Sequence, residues 1–381
     1  MILVVGAGSI GKRHLRNLVS CGITEMAVVD PRADRLEEAR AQVPTASKLR
    51  TVGSLQAAFT GHERYDAVVV ASPPAFHPEA IRRAVEAGLP ILCEKPLATD
   101  DGAVWSRLKR LCATAAERGI LSMVGYNYRF LPHLQQVRRL LAEGAVGSIL
   151  SVRGTFSEHL REWHPWEGLN FYMASRAQGG GALLDESHLL DLCRWLFGEI
   201  TEVAGYNGTL STLGREPGFD TDDLVELVVR FASGAVGSLH MDLFGRHHQK
   251  RLEVIGEEGT LCWHFDNTDI ASNRVELWRG RRERVGPDIT RRMPEQVIPS
   301  DGLLRNHMYL EEARYFLQAI RAGRHLRDDV PDLRDGLQTL AVVRAARRAA
   351  ASRRTERVGS VLAPARSGQT RLTVEAAHRD G

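Results

Sequence analysis

The chain has 381 residues, of which 43% are hydrophobic and 25% are charged. These are ordinary globular proportions, which exclude a disordered chain, a collagen-like chain and a coiled coil, and the length predicts two or three domains at about 150 residues each. The formal net charge of +3 is too small for a nucleic-acid footprint, so no nucleic-acid partner is predicted.

Short apolar segments alternate with helical segments over the first 125 residues. The predicted strands are Ile2–Val5, Met26–Val29, Ala67–Val70, Ile91–Cys93 and Leu121–Val124, and the predicted helices are Ser9–Ser20, Ala33–Gln42, Glu79–Ala87 and Val104–Arg118. The strands lack polar alternation, which is typical of parallel strands covered on both faces. The alternation therefore predicts a doubly wound parallel sheet, the Rossmann type, in a domain of residues 1–125.

The pattern changes after residue 145, where apolar segments follow one another with only short turns between them. The predicted strands there are Leu224–Phe231, Ala235–Asp242, Arg251–Ile255, Thr260–Phe265 and Val275–Trp278, and the predicted helices are Ala177–Phe197, Asn306–Ala322 and Leu333–Arg353. This pattern predicts an α/β domain of residues 126–363 with a large, mostly antiparallel sheet. Residues 364–381 show no periodicity and are expected to be a loose tail.

A glycine-rich segment, Gly6-Ala7-Gly8-Ser9-Ile10-Gly11, follows the first strand and opens a helix. The glycines allow a tight turn, a close approach to a pyrophosphate and close packing of helix on strand, so these residues predict a dinucleotide site. Asp30 ends the second strand and is expected to bind the adenosine ribose. Its carboxylate would repel a 2′-phosphate and favours NAD, whereas Arg32 could grip such a phosphate, so NADP stays open.

Further segments resemble the Gfo/Idh/MocA oxidoreductases. They are the triplet Glu94-Lys95-Pro96 after the fifth strand, the turn Ala71–His77, the joining segment Gly125–Phe130, the glycine-rich stretch Gly179–Asp191 and the turn Ile255–Thr260. They run in the family's order from residue 1 to about residue 340. The resemblance implies a Rossmann domain, a second domain on an open antiparallel sheet, a nicotinamide cofactor, a sugar or cyclitol substrate, and homodimers or homotetramers formed through that sheet.

The same resemblance implies further cofactor contacts. Ser72, Pro73 and His77 belong to the turn after the fourth strand, and Glu94 is implied to contact the nicotinamide end. Lys95 is implied to lie beside both the nicotinamide and the substrate hydroxyl.

Oxidation of a secondary alcohol needs a hydride acceptor, a base and a positive group near the developing alkoxide. Lys95 suits the positive group and His188 suits the base. Asp185 and Asp191 lie three residues before and after His188, where a helix would bring both carboxylates near its ring. The commoner family spacing between the aspartate and the histidine is four, so Asp185 either faces the site or has a structural role.

Residues that suit sugar binding are concentrated between Glu158 and Arg176, before the predicted catalytic helix. The candidate substrate contacts are Trp163, His164, Tyr172 and Arg176, with Trp166 and Arg161 nearby and with Asn127 and Arg129 after the last Rossmann strand. The alternative is a packed loop whose aromatic rings only fill space.

Two other features are expected to be unrelated to catalysis. The basic cluster around His247, His248 and Lys250 predicts a solvated or interface patch rather than a metal site. His14, one turn into the first helix, is expected on the surface.

The five cysteines are odd in number and widely spaced, and none forms a CxxC pair, so neither a disulfide framework nor a structural zinc site is predicted. The chain begins directly with an apolar strand, which does not resemble a signal peptide, and no apolar run approaches the roughly 18 residues that span a bilayer. A cytoplasmic protein without bound metal is expected.

The leading functional prediction is an NAD-dependent sugar or cyclitol dehydrogenase. Two alternatives remain: a glycosidase that oxidises and then restores a ring carbon with bound NAD, and a non-enzymatic NAD- or sugar-sensing regulator on the same fold.

Overall fold

A computed structural model describes residues 1–163, 168–169, 171–266, 268–286, 290–299 and 306–361 of the chain. The chain divides into two compact units. The first comprises Met1–Asn127, Ser175–Gly180 and Asn306–Leu340, and the second comprises Tyr128–Ala174, Gly181–Arg305 and Ala341–Gly381.

The first unit contains a parallel sheet of six strands in the described residues, in the order β3-β2-β1-β4-β5-β6. The strands are β1 (Ile2–Val5), β2 (Glu25–Val29), β3 (Lys48–Val52), β4 (Ala67–Val70), β5 (Ile91–Cys93) and β6 (Ser122–Val124). The helices are α1 (Ser9–Ser20), α2 (Ala33–Ala41), α3 (Leu55–Thr60), α4 (His77–Glu86) and α5 (Gly102–Glu117). The predicted doubly wound sheet is confirmed, and the strand order reverses between β1 and β4.

The prediction missed β3 and α3. The five residues of β3 are half-buried or exposed, so this edge strand lacks the continuous apolar signal that identified its neighbours.

The second unit contains a sheet of nine strands in the described residues, in the order β16-β13-β12-β11-β7-β10-β9-β8-β17. Its strands are β7 (Ile149–His159), β8 (Ile200–Gly208), β9 (Leu224–Phe231), β10 (Val236–Asp242), β11 (Phe244–Gly256), β12 (Thr260–Phe265), β13 (Arg274–Trp278), β16 (Gln296–Pro299) and β17 (Glu356–Arg357). A separate small ribbon pairs β14 (Arg282–Arg284) with β15 (Thr290–Arg292). The mostly antiparallel sheet is confirmed, with β10 and β7 as a parallel pair.

Four helices belong to the first part of the second unit: α6 (Pro132–Ala142), α7 (Leu160–Trp163), α8 (Ala182–Asp185) and α9 (Ser187–Phe197). The continuous helix predicted over Ala177–Phe197 is therefore wrong. Gly181 has φ +99, and a Cβ there would lie 2.3 Å from Thr221 Oγ1, so helical backbone cannot run through it. Glu186, at φ −87 and ψ 19, separates α8 from α9.

Two long helices end the described chain, α10 (Asn306–Ala322) and α11 (Leu333–Ser352). The first matches its prediction, and α10 and the start of α11 belong to the first unit. This differs from the continuous domains predicted from sequence, because local patterns do not reveal that a late segment returns to an earlier unit.

Within the described residues, no helix combines the length and apolar character needed to cross a membrane. The five cysteines are all present as free thiols.

Candidate active site

The glycine-rich turn joins β1 to α1 in the first unit. Gly6 has φ +102, and a Cβ there would lie 2.6 Å from the carbonyl oxygen of Ala71, so only glycine fits. A Cβ on Gly11 would lie 1.9 Å from the Gly6 oxygen. Gly8 precedes α1, whose first turn has neither a side-chain cap nor an acidic residue. The N-terminus of α1 therefore fits an anionic pyrophosphate.

Asp30 follows β2 and is buried. One of its oxygens accepts a hydrogen bond from the Ala7 backbone at 2.8 Å, and the other accepts one from the Arg32 backbone at 3.0 Å. An ionised carboxylate has about four acceptor positions, so this contact set fits a further bond from a ribose hydroxyl.

Arg32 is exposed, and its guanidinium group forms a forked ion pair with Asp34. Hydrogen bonding to Asp34 raises the pKa of Arg32. Because the Arg32 guanidinium group is already paired with Asp34, it is less available to bind a 2′-phosphate.

The turn after β4 brings Ser72 and Pro73 to the edge of the sheet where β1 ends. The Ser72 hydroxyl is buried and has no hydrogen-bond partner among the described residues, as expected for a group that meets a ligand. The His77 ring is buried, with Nδ1 3.0 Å from the Pro96 oxygen and Nε2 2.6 Å from the Ser72 oxygen. His77 thus ties the Ser72 turn to the segment that follows Lys95.

Glu94 and Lys95 follow β5 at this edge. Lys95 is half-buried, and its peptide bond to Pro96 is cis. The Glu94 carboxylate is buried and lies 2.7 Å from Nε2 of His14. The surface position expected for His14 is wrong, because α1 packs this ring inward against the end of β5.

Asn127, which follows β6, is fully buried. Neither the oxygen nor the nitrogen of its amide has a hydrogen-bond partner in the described part of the chain. This amide therefore has both a donor and an acceptor to offer a polar ligand. Arg176, another predicted substrate contact, is exposed and belongs to the first unit.

The second unit holds the other predicted catalytic side chains near the break between α8 and α9. Asp185 is buried and accepts a hydrogen bond from the Tyr172 hydroxyl at 3.2 Å. His188 is 7% exposed, and the Tyr128 ring packs edge-on against it with ring centroids 4.8 Å apart.

Asp191 and Arg129 form a buried, bidentate ion pair. Arg129 donates from Nε at 2.8 Å and from Nη2 at 2.6 Å to the two oxygens of Asp191. Both side chains are nearly inaccessible. The charge of Asp191 is thus balanced by Arg129, and the guanidinium group predicted to bind substrate is directed at Asp191.

A buried lysine is the feature that the sequence analysis missed. Lys250, on β11, is 3% exposed, and its Nζ donates to Glu186 at 2.6 Å and to Glu158 at 3.1 Å. The solvated basic patch predicted around His248 and Lys250 is therefore wrong for these two residues, which are both buried. The strand alternation was the available signal, because His248, Lys250, Leu252 and Val254 share one face of β11.

The pKa values of the two carboxyl groups that contact Lys250 are shifted in opposite directions. Burial alone would raise the pKa of Glu158, but Lys250 and His248 outweigh it and hold that pKa well below its usual value. Burial raises the pKa of Glu186 to about 8, with Lys250 opposing the shift and Glu158 and Asp185 reinforcing it. Burial lowers the pKa of Lys250, but Glu158 and Glu186 more than reverse this.

Three remaining predictions fall at the edge of the described residues. His164 and Trp166 lie outside them, and for Trp163 only the backbone, at the end of α7, is described.

Comparison with known families matches both parts of the chain. Residues 1–126 match the family described as "Oxidoreductase family, NAD-binding Rossmann fold", and residues 134–262 match the "GFO/IDH/MocA C-terminal domain".

Known proteins are similar over most of the chain. A levoglucosan dehydrogenase from Pseudarthrobacter phenanthrenivorans is 31% identical over 306 residues, covering 72% of this chain and 75% of that protein. An inositol 2-dehydrogenase from Rhizobium meliloti is 27% identical over 367 residues, covering 92% and 97%. A structure of levoglucosan dehydrogenase with NADH and levoglucosan aligns with a TM-score of 0.77 at 25% identity, covering 94% and 99%.

The Lys250 cluster gives a prediction on stability. Lys250→Met leaves the buried Glu158 and Glu186 without their cation, and breaking a buried ion pair typically costs about 3–5 kcal/mol. Because the depressed pKa of Glu158 stabilises the fold only above the pKa of an unfolded glutamate, the loss should be largest near neutral pH and shrink below about pH 4.5.

Denaturant unfolding of both proteins from pH 4 to pH 8 measures this difference. Lys109→Met, at an exposed position on α5, is the matched control and should change stability little. An equal loss for Lys250→Met at all pH values would contradict the account.

Proposed function

Because the chain belongs to the Gfo/Idh/MocA family of oxidoreductases, we propose that it is an NAD-dependent dehydrogenase that acts on a secondary hydroxyl of a sugar, sugar derivative or cyclitol. The observation that carries this proposal is the shared sheet edge of the first unit. The dinucleotide turn after β1, the Ser72 turn after β4 and Lys95 after β5 all lie at the carboxyl ends of parallel strands, where doubly wound folds bind their ligands. The substrates of the levoglucosan and inositol dehydrogenases support the substrate class.

The cofactor-holding residues follow from this edge. We assign the pyrophosphate to the turn formed by Gly6, Gly8, Ser9, Ile10 and Gly11, and the ribose to Asp30. Ser72 and Pro73 would line the site directly, whereas His77 and Glu94 would support it through the backbone atoms they hold. When bound, NAD supplies the hydride acceptor.

Lys95 and His188 carry the proposed chemistry. The Lys95 ammonium would stabilise the alkoxide that develops as the hydroxyl proton leaves. His188 would accept that proton, since a histidine can take up and return a proton near neutral pH. Asp185, which is fixed by Tyr172, would orient the reacting group.

The substrate contacts are proposed from the same regions. The unpartnered amide of Asn127 supports a polar contact, and Tyr172, Trp163, His164 and Arg176 are retained as candidates from sequence. The ion pair with Asp191 supports a positioning role for Arg129 instead.

We further propose that residues 126–363 supply substrate binding and assembly, and that the protein acts in a cytoplasm, where its free thiols would stay reduced.

One face of the second sheet is exposed and carries the apolar residues Tyr206, Val228 and Val236 on neighbouring strands. Exposed apolar groups on a broad sheet face support its use in a homodimer or homotetramer. Light scattering at micromolar concentration should give a dimer or tetramer mass, and Val228→Asp should lower it; a monomer in the unaltered protein would contradict this.

A first experiment tests the activity itself. Purified protein is mixed with NAD and a panel of sugars, sugar phosphates, sugar nucleotides and inositols, and NADH absorbance is followed. Net NADH formation with one of them supports the proposal, whereas turnover of a glycoside without net NADH would favour the glycosidase alternative.

Cofactor choice gives a separate prediction. Because Asp30 would lie against the ribose and Arg32 is paired with Asp34, NAD should bind more tightly than NADP. Asp30→Ser should narrow the difference between NAD and NADP affinity. Asp34→Ser, which releases Arg32, should also narrow that difference by strengthening NADP binding. Titration calorimetry with both nucleotides measures this, and equal or tighter NADP binding by the unaltered protein would overturn it.

The catalytic assignments predict a separation of turnover from binding. Loss of a positioned base typically costs about 10²–10⁴-fold and loss of a charge stabiliser about 10²–10³-fold. Lys95→Ala and His188→Ala should each lower kcat at least about a hundredfold, while NAD affinity stays nearly unchanged. Asp185→Asn should cost less than His188→Ala.

Steady-state kinetics on the substrate found in the screen, with NAD binding measured separately, gives both quantities. Lys109→Ala, at an exposed position on α5, is the control. A His188→Ala enzyme with nearly unaltered kcat, when chemistry limits the rate, would falsify the assignment of the base.

A further inference from the structure

Three ionisable side chains from separate elements meet inside the first unit. His14 lies on α1, Glu94 follows β5, and Glu312 lies on α10. They are 1%, 6% and 0% exposed, respectively. One nitrogen or oxygen atom of each lies within 4.8 Å of the corresponding atoms of the other two.

The Glu94 carboxylate is held on both of its oxygens. Nε2 of His14 lies 2.7 Å from Oε1, and the Lys95 backbone donates to Oε2 at 3.3 Å. Gly125 covers the group closely, because a Cβ there would lie 2.8 Å from Oε2. Both oxygens of Glu94 therefore have a partner that can donate to them.

Glu312 differs from Glu94 in having no such support. Neither of its oxygens has a hydrogen-bond partner among the residues that the structure describes. An ionised carboxylate in this position would lose its hydration without compensation, which favours the neutral form. Burial, reinforced by the charge of Glu94, accordingly raises the pKa of Glu312 well above its usual value.

The charged surroundings of Glu312 do not reverse this balance. Among the described histidines, cysteines and carboxylates, Glu94 at the end of β5 and His14 on α1 are the ones grouped with it within 4.8 Å. Arg13 of α1 is instead placed over the ring of Tyr309, 4.5 Å from its centroid.

We propose that Glu312 is held as a neutral carboxylic acid that shares its proton with the His14–Glu94 pair, and that this cluster positions the backbone at Lys95. A neutral acid has one donor, which an ionised one lacks, and one oxygen of Glu312 lies within 4.8 Å of the ligand atoms of His14 and Glu94. Glu94 transmits the restraint because its second oxygen accepts from the Lys95 backbone. The positioning clause rests on the proposed function, whereas the protonation clause does not.

One histidine and two carboxylates are also ligand types for a divalent cation. A bound cation would keep Glu312 ionised, and its removal would destabilise the fold. The two possibilities therefore predict opposite effects on stability when Glu312 is replaced by the neutral glutamine.

The first measurement is the unfolding equilibrium of the full chain between pH 5 and pH 8, for the unaltered protein, Glu312→Gln and Glu311→Gln. A neutral Glu312 releases its proton on unfolding above the ordinary glutamate pKa, so the unaltered protein loses stability more steeply than Glu312→Gln as the pH rises. The unfolding constant of the unaltered protein relative to Glu312→Gln should grow up to about tenfold per pH unit below the folded pKa. The same ratio taken relative to Glu311→Gln, a change at a half-exposed neighbour on α10, should stay constant with pH.

A ratio that stays constant or falls with pH would overturn the protonation clause. Destabilisation of the unaltered protein by a chelator, with tightly bound metal found by elemental analysis, would replace it with a cation site. In the infrared spectrum, a protonated-carboxyl band that is present in the unaltered protein and lost in Glu312→Gln would support it independently.

The second measurement tests positioning, with kcat and the NAD dissociation constant compared for Glu312→Leu and Glu312→Gln. Leucine removes the donor and should lower kcat at least about tenfold with little change in NAD affinity, whereas glutamine keeps a donor and should restore most of the loss. A folded Glu312→Leu protein with unaltered kcat would overturn the positioning clause. If the unaltered protein has no dehydrogenase activity, the proposed function fails, and the stability and infrared results still decide the protonation of Glu312.

Discussion

The common direction of the strands in the first sheet is the constraint on which the cofactor-binding unit depends. Because β1, β4 and β5 are parallel, the residues that follow them, Gly6, Ser72 and Lys95, lie at one edge. The strand order reverses between β1 and β4, which opens a crevice at that edge. The would-be Cβ of Gly6 lies 2.6 Å from the Ala71 oxygen, so the two turns meet as closely as backbone allows. Residues that are far apart in sequence and are proposed to bind the cofactor are thus brought to one edge by topology.

Buried charge is the second constraint, and it works through geometry more than through stability. The Arg129–Asp191 pair and the Lys250 cluster are both inaccessible to solvent. A buried ion pair adds little net stability compared with apolar packing, but removal of one partner is costly. Such groups therefore tolerate few side-chain conformations. In the second unit the contact with Lys250 holds the side chain of Glu186, which follows Asp185 in the chain. In the first unit the contact with His14 holds the side chain of Glu94, which precedes Lys95.

Apolar patterns predicted the elements with apolar cores and failed where polar residues occupy core positions. The strands β1, β4 and β9 were predicted with the bounds observed, because their inward positions are apolar. The strand β11 was predicted only from Arg251, because His248 and Lys250 fill inward positions before that residue. Inward polar residues look like surface residues in a sequence, and only their partners on other elements distinguish the two. The roles of the site residues named from sequence remain predictions.

The residue Glu186, which stands between Asp185 and His188, is held by the Lys250 cluster. On a continuous helix, residues three apart share a face, but Glu186 leaves helical geometry and separates α8 from α9. Its carboxyl group is drawn to Lys250 on β11, while the preceding Asp185 is bonded to Tyr172. The Glu186 side chain, between Asp185 and His188 in the chain, is thus held by a strand some 60 residues later. Lys250 and Glu158, besides the aspartate–histidine spacing, therefore shape the surroundings of these two predicted catalytic residues.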